Sequence, residues 1–205
     1  MNIKKILENI DYSGKFDDIE ILNISYDSRK ATKQSMFIAI EGQEFNGHDF
    51  ISQAIKNGAV AVVKERGYNK INGVINIDVK NTRNILSQIS KNFYSDPSSK
   101  IQTIGVTGTN GKTTTTFLIN KILNECDSSS GSIGTLGFVS SNEFVSTGFT
   151  TPESLELNSF INQLVKGGVE NVVIEVSSHS LALSRMNHIE IDIAIFTNLT
   201  EEHLD

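Results

Sequence analysis

The chain has 205 residues, enough for one or two domains, and its 38% hydrophobic and 20% charged content is that of a globular protein able to bury a core. A formal net charge of −6, with no cluster of Lys or Arg, argues against a nucleic-acid surface, and a single cysteine, Cys126, excludes an internal disulfide and a cysteine-rich zinc site. Met1 leads straight into a charged amphipathic stretch rather than a signal peptide, and no apolar run approaches the ~20 residues of a membrane span, so the reading is a cytoplasmic monomer without a membrane partner.

Residues 1–98 read as a small α/β unit. Ile3, Ile6, Leu7 and Ile10 fall on one helical face. Runs at 20–26, 35–40, 59–64 and 74–79 predict strands. Residues 49–57 predict a helix ended by Gly58, and 82–94 a longer one closed by Asp96 and Pro97. Two polar stretches stand out. Tyr26, Asp27, Ser28 and Arg29 end a strand with four hydrogen-bonding side chains in succession, and residues 42–50, GQEFNGHDF, form a loop with two glycines and a histidine. On composition alone each is a turn or a loop. The polar segment 95–99 marks the boundary to a second unit, 99–205.

The second unit opens on IQTIGVTGTNGKTTTTF, residues 101–117. Ile101, Ile104 and Val106 fit a buried strand, a glycine loop follows, and a helical pattern restarts at Lys112 and Thr113. Such a strand, loop and helix form a phosphate cradle. Gly108 and Gly111 let the backbone approach oxygen atoms, loop N–H groups point inward, and the positive end of the helix dipole lies behind them. Lys112 would reach the β- and γ-phosphates, and the Thr113 hydroxyl would take a place on Mg²⁺. The spacing departs from G-x-x-x-x-G-K-[ST] in having Val106 at the first glycine, with Gly105 one residue earlier.

A helix over 113–126 is followed by Ser128, Ser129, Ser130 and Gly131, read as a flexible polar turn, and then by Gly134, Thr135, Leu136 and Gly137. Residues 138–149 predict a hairpin turning at Ser141 and Asn142. Thr151 as N-cap, Pro152 at the first helical position and Glu153 beside the dipole predict a helix with Leu155, Leu157, Phe160, Ile161 and Leu164 on its apolar side. Thr150 and Thr151 could equally present hydroxyls and helix N–H groups to an anion. Residues 171–176 form an apolar strand with Glu175 near its carboxyl end. That is where the second metal group of an NTPase sits and where ligands of doubly wound sheets lie. A buried strand over 192–196 then runs into TNLTEEHLD, residues 197–205.

The loop TGTNGKTTT resembles that of the Mur ligases, which build the cell-wall peptide by ATP-dependent amide formation, and that of the related folylpolyglutamate synthetases. Asp27, Ser28 and Arg29, the run 36–40, Gly42 and the segment 46–50 resemble the uridine-binding domain of the Mur ligases that add the third peptide residue; the folylpolyglutamate branch has no such leading domain. Residues 134–137 resemble the family's GT.G segment, and 150–153 its TTP[ED] segment. Residues 175–185 resemble EVSSH.L....R, with Leu183 where one subgroup carries Gln. Residues 196–205 resemble FTNL..DHLD, with Glu202 replacing the usual Asp.

The resemblance implies an α/β chain, with a small uridine-binding domain ahead of an incomplete ATP-binding domain built on a doubly wound, mostly parallel sheet. It assigns ATP to Gly108, Thr109, Asn110, Gly111, Lys112, Thr113 and Thr114, and Mg²⁺ to Thr113, Glu175 and His203. The catalytic groups would be Lys112, Glu175 and His203. Ser28, Thr150, Thr151, Ser177 and Arg185 would contact the substrate, UDP-N-acetylmuramoyl-L-alanyl-D-glutamate, to which diaminopimelate or lysine would be joined, diaminopimelate being the commoner choice. The family's carbamylated lysine and its amino-acid-binding domain fall outside these residues, so the 205-residue chain is not expected to close the amide bond alone. Two other readings stand beside this one: a different Mur ligase, such as the one adding the D-Ala-D-Ala dipeptide, and a module that binds nucleotide or UDP-muramoyl peptide without turnover.

Overall fold

The computed structural model describes residues 1–42, 45–140 and 143–200. The chain divides into two compact units, Met1–Phe93 and Tyr94–Asp205, each an α/β layer structure.

The first unit runs α1 (Ile3–Ile6), β1 (Tyr12–Ser13), β2 (Asn23–Ser25), a 3₁₀ turn at Ser28–Lys30, β3 (Ser35–Ile38), a second 3₁₀ turn at Gly47–Phe50, α2 (Ile51–Lys56), β4 (Ala59–Glu65), β5 (Ile75–Val79) and α3 (Thr82–Phe93). Its sheet has the order β1-β5-β4-β3-β2, parallel except for β1, which runs antiparallel to β5. Phe37, Ala39, Ala59 and Val62 pack against Ile51 and Ala54 of α2. A sheet covered on both faces needs continuous apolar strands, which is why β3 and β4 read without alternation. Lys64 is the charged exception among their buried residues. Its buried ammonium pairs with Asp78 and donates to the Tyr68 carbonyl at 3.0 Å.

Two expectations shorten here. The strand expected over 20–26 is only Asn23–Ser25, because the Asp27 carboxylate accepts the Arg29 N–H and turns the chain. The helix expected over 49–57 is a 3₁₀ turn followed by α2, because the Asn46 side chain accepts the His48 N–H and tightens the entry. Gly47 is required at that turn, since a Cβ there would lie 2.6 Å from both Ile40 N and Ile40 O. The two-residue strand β1 carries no periodic signal and was not expected.

The second unit runs through a 3₁₀ turn at Ser98–Lys100, β6 (Gln102–Thr107), α4 (Lys112–Glu125), β7 (Ser130–Gly134), β8 (Gly137–Val139), β9 (Phe144–Val145), α5 (Ser154–Lys166), β10 (Asn171–Glu175), α6 (Ser178–Ala182) and β11 (Ile193–Phe196). The sheet order is β11-β6-β10-β7-β8-β9, with the first four strands parallel and β8 and β9 antiparallel. Side chains of a strand alternate between faces, and β10 shows what this does. Val172, Ile174 and Val176 join Ile133 against Leu157, Ile161 and Leu164 of α5. Val173 joins Ile104 and Val106 on the opposite face, against Ile119 and Leu123 of α4. Glu175 lies two residues beyond Val173, so it projects to the α4 face at the end where α4 begins.

Three expectations for this unit are corrected. Residues 128–131 are not a free turn, because Ser130 and Gly131 open the buried strand β7. The small residues answer to packing. A Cβ on Gly131 would lie 2.6 Å from Leu164 Cδ2, while Asn124 donates to Ser130 O at 3.0 Å and accepts from Ser130 N at 3.1 Å. Thr151 is not the N-cap of α5. The helix starts at Ser154 after Glu153, and no side chain caps it. Finally, β11 is not buried. Among the described residues it pairs only with β6, and Ile193 and Phe196 are 44% and 62% exposed. β8 and β9 pair as the expected hairpin, whose turn at Ser141 and Asn142 lies outside the described residues. No helix among the described residues is long and apolar enough to cross a membrane.

Candidate functional site

The loop between β6 and α4 is held at both glycines. Gly108 has φ +131°, and a Cβ there would overlap the Thr197 hydroxyl; Gly111, at φ +84°, is the left-handed residue from which α4 starts. The first turn of α4 carries Lys112, Thr113 and Thr114, whose N–H groups have no intrahelical acceptor. Two other loop N–H groups do not point into a cradle. Thr109 N donates to the Asn198 carbonyl and Asn110 N to Asn198 Oδ1, both at 3.0 Å. The Asn198 amide returns a bond to Asn110 O at 3.0 Å, and the Thr197 hydroxyl adds one at 2.7 Å. The strand-end segment after β11 therefore clamps the loop. Asn198 was not singled out as a site residue, although its T-N-L motif was visible. His203, expected on the metal, lies outside the described residues.

Lys112 curls back over the loop, its Nζ donating to the carbonyls of Gly108 at 2.6 Å and Thr109 at 2.8 Å. That brings the ammonium to the mouth of the cradle. Behind it, Thr113 Oγ1 donates to Glu175 Oε2 at 2.9 Å. The strand-end carboxylate and the helix hydroxyl, 62 residues apart, meet as the motifs anticipate. With its proton on Glu175, Thr113 keeps its lone pairs for a cation. An all-oxygen donor set of this kind suits Mg²⁺, which takes one or two protein oxygens and completes its shell with phosphate and water. Among the described residues no group of three or more His, Cys, Asp or Glu could hold a metal ion, as a phosphate-assisted Mg²⁺ site requires none. The donors present fit the ion.

Glu175 is 1% exposed, and both its oxygens are engaged. Oε1 accepts from Thr135 N at 3.0 Å, and Oε2 lies 3.1 Å from Thr135 Oγ1. Gly134 admits this approach, because a Cβ there would overlap the carboxylate. Thr135 was seen only as part of a short glycine motif, and no spacing rule connects it to a residue 40 positions away.

The other expected substrate residues surround the same strand end. Thr151 is buried, and its hydroxyl donates to Glu175 O at 2.8 Å while accepting from Ser177 N at 3.1 Å. Its hydroxyl thus serves the scaffold, whereas Thr150 Oγ1 sits 3.1 Å from Thr135 Oγ1. Ser177 caps α6 by accepting Ser180 N at 3.1 Å. Arg185 donates to Thr151 O at 2.9 Å, pairs with Glu153 at 2.9 Å and lies 5.5 Å from the Phe149 ring centre. Its buried Nε has no hydrogen-bond partner among the described residues.

In the first unit Ser28 is buried, and its carbonyl accepts from Asn57 at 2.8 Å. Arg29 forks onto Asp27 at 3.0 and 2.8 Å and holds that carboxyl below the usual carboxylate range. His48 stacks on Tyr68, accepts Glu65 N at Nε2 and therefore donates from Nδ1 to Asn46 Oδ1 at 2.7 Å. Burial pushes this imidazole below its ordinary pKa, with Glu65 and Glu41 partly opposing.

Residues 20–94 match the model of the Mur ligase family, catalytic domain, and residues 106–205 that of the Mur ligase middle domain. The whole chain is 44% identical to 41% of the UDP-N-acetylmuramoyl-L-alanyl-D-glutamate–2,6-diaminopimelate ligase of Alkaliphilus metalliredigens, and 42% identical to 43% of that of Caldanaerobacter subterraneus. Among solved structures, a ligase of the same description aligns at TM-score 0.75 and 28% identity over 90% of this chain and 38% of its own. MurF from Acinetobacter baumannii shares the fold at TM-score 0.67 and 20% identity, over 98% of this chain and 41% of its own. The chain spans about two fifths of the length of the curated relatives it matches. It belongs to the Mur ligase family, and its 205 residues carry the N-terminal and middle domains.

Proposed function

We propose that this chain is the front part of an ATP-dependent ligase of peptidoglycan synthesis, acting in the cytoplasm. The whole enzyme would join the third amino acid to UDP-N-acetylmuramoyl-L-alanyl-D-glutamate. The γ-phosphoryl group of ATP would pass to the D-glutamate side-chain carboxylate, releasing ADP, and the incoming amine would displace phosphate to form the amide. The names of the relatives support diaminopimelate over lysine. The observation that carries the reading is the Thr113–Glu175 hydrogen bond, which sets a carboxylate at the start of a phosphate-loop helix.

The residues divide the work by charge and position. Lys112 leaves the Gly108 and Thr109 carbonyls and donates to the β- and γ-phosphates. Gly108, Thr109, Asn110, Gly111 and Thr114 shape the cradle, and the helix N–H groups add donors. Thr113, Glu175 and His203 would hold Mg²⁺, with Glu175 also orienting the Thr113 hydroxyl, and the ion would neutralise phosphate charge. Catalysis is then positioning plus charge stabilisation. Ser28 is assigned to the uridine diphosphate end, and Thr150, Ser177 and Arg185 to the sugar–peptide part, with the buried Thr151 bracing their strand end. These 205 residues span about two fifths of the length of the relatives, so amide formation is proposed for the whole enzyme.

Isothermal titration of the chain with Mg·ATP, and separately with UDP-N-acetylmuramoyl-L-alanyl-D-glutamate, tests this. One site for each is expected. Failure to bind either would overturn the reading.

A further inference from the structure

We infer that Thr135 is a positioning residue for the phosphate and metal chemistry, fixing the Glu175 carboxylate so that the Thr113 hydroxyl turns its lone pairs outward; this rests on the ligase reading above. Thr135 grips the carboxylate twice, by N–H to Oε1 at 3.0 Å and by hydroxyl to Oε2 at 3.1 Å. The direction of each proton follows from elementary chemistry. A carboxylate only accepts, so the single proton of the Thr135 hydroxyl goes to Glu175. Its oxygen then only accepts from Thr150, 3.1 Å away. The Thr113 hydroxyl donates to the same Oε2 at 2.9 Å. Protons therefore run from Thr150 to Thr135 to Glu175, and from Thr113 to Glu175.

The burial pattern fits this assignment. Glu175 is 1% exposed whereas Thr135 lies at the surface, so Thr135 is the cover over the carboxylate. Gly134 leaves no space between turn and carboxylate, which makes the grip direct. Without the Thr135 hydroxyl, Oε2 keeps only Thr113 as its side-chain donor among the described residues and can rotate away. The Thr113 proton then loses its fixed acceptor, and its lone pairs lose their fixed direction.

ATP titrations in excess Mg²⁺ and in EDTA, with the wild type, Thr135→Val and Thr135→Ser, test the assignment. Valine keeps the shape and the backbone N–H and removes only the hydroxyl. The Mg²⁺-dependent gain in ATP affinity is expected to fall about tenfold in Thr135→Val, the size of one charge-assisted hydrogen bond. ATP affinity in EDTA should stay at the wild-type value, the variant should remain folded at the assay temperature, and Thr135→Ser should restore the gain. An undiminished gain in Thr135→Val, with the wild type binding ATP, overturns the assignment alone. An equal loss in EDTA that serine does not restore also overturns it, because that marks a structural residue. A wild type that binds no ATP overturns the ligase reading and this inference together.

Discussion

The two units carry polar motifs of similar appearance that spend their hydrogen bonds differently. In the first, Asp27 closes onto Arg29 and Asn46 onto His48, each pair two residues apart, so the side chains mostly build the turn they sit in. In the second, Thr113 reaches Glu175 across 62 residues, Thr135 reaches it across 40, and Thr109 reaches Thr200 across 91. Local bonds shape a loop. Long-range bonds to side chains at one sheet end assemble a site, because several elements must be in place before any of them is satisfied.

This difference should appear in stability. Glu175→Ala removes an acceptor shared by three donors and leaves them poorly paired in a buried place. Urea denaturation should show a loss of about 2–3 kcal/mol, the range for stranding buried partners of a charged group. Asp27→Ala breaks an ion pair whose Arg29 side chain is 85% exposed, together with a local turn bond. The expected loss is much smaller than that of Glu175→Ala, as for surface pairs. Equal losses in the two variants would erase the comparison.

A smaller effect concerns pH. The folded-state pKa of His48 lies below its unfolded value of 6.5, so the unfolded chain binds the extra proton first on acidification. The His48 contribution is complete above the unfolded value and declines as pH falls below it, because an imidazolium cannot accept the Glu65 N–H. Melting curves between pH 7.5 and 5, of wild type and His48→Gln, read this directly. The wild type should lose more stability than the variant over that interval, and parallel curves would exclude His48 as the source.

How far the sequence could be read follows the same division. The strand, glycine loop and helix at residues 101–117 were legible because each residue type serves a local need, and Glu175 was legible as a charge in an apolar run. Thr135 was not, since its partner is set by sheet order rather than by spacing. Ser130 and Gly131 were misread because small polar residues look the same in a turn and in a strand crowded by Leu164. Thr151 was misread as a cap because its actual acceptor, Glu175 O, lies on another strand. The run over 192–196, read as buried from its apolar character, carries no mark of whether a neighbouring element covers it.

The account stands most directly on Lys112, whose ammonium is parked on the Gly108 and Thr109 carbonyls at the mouth of the loop. Titration of ATP in excess Mg²⁺ into the wild type and Lys112→Ala, with the melting temperature as a control for folding, measures its part. The account predicts that the variant folds normally and loses about 1.5–3 kcal/mol of ATP binding, the range for a charged hydrogen bond. ATP affinity in the folded variant equal to that of the wild type would contradict it.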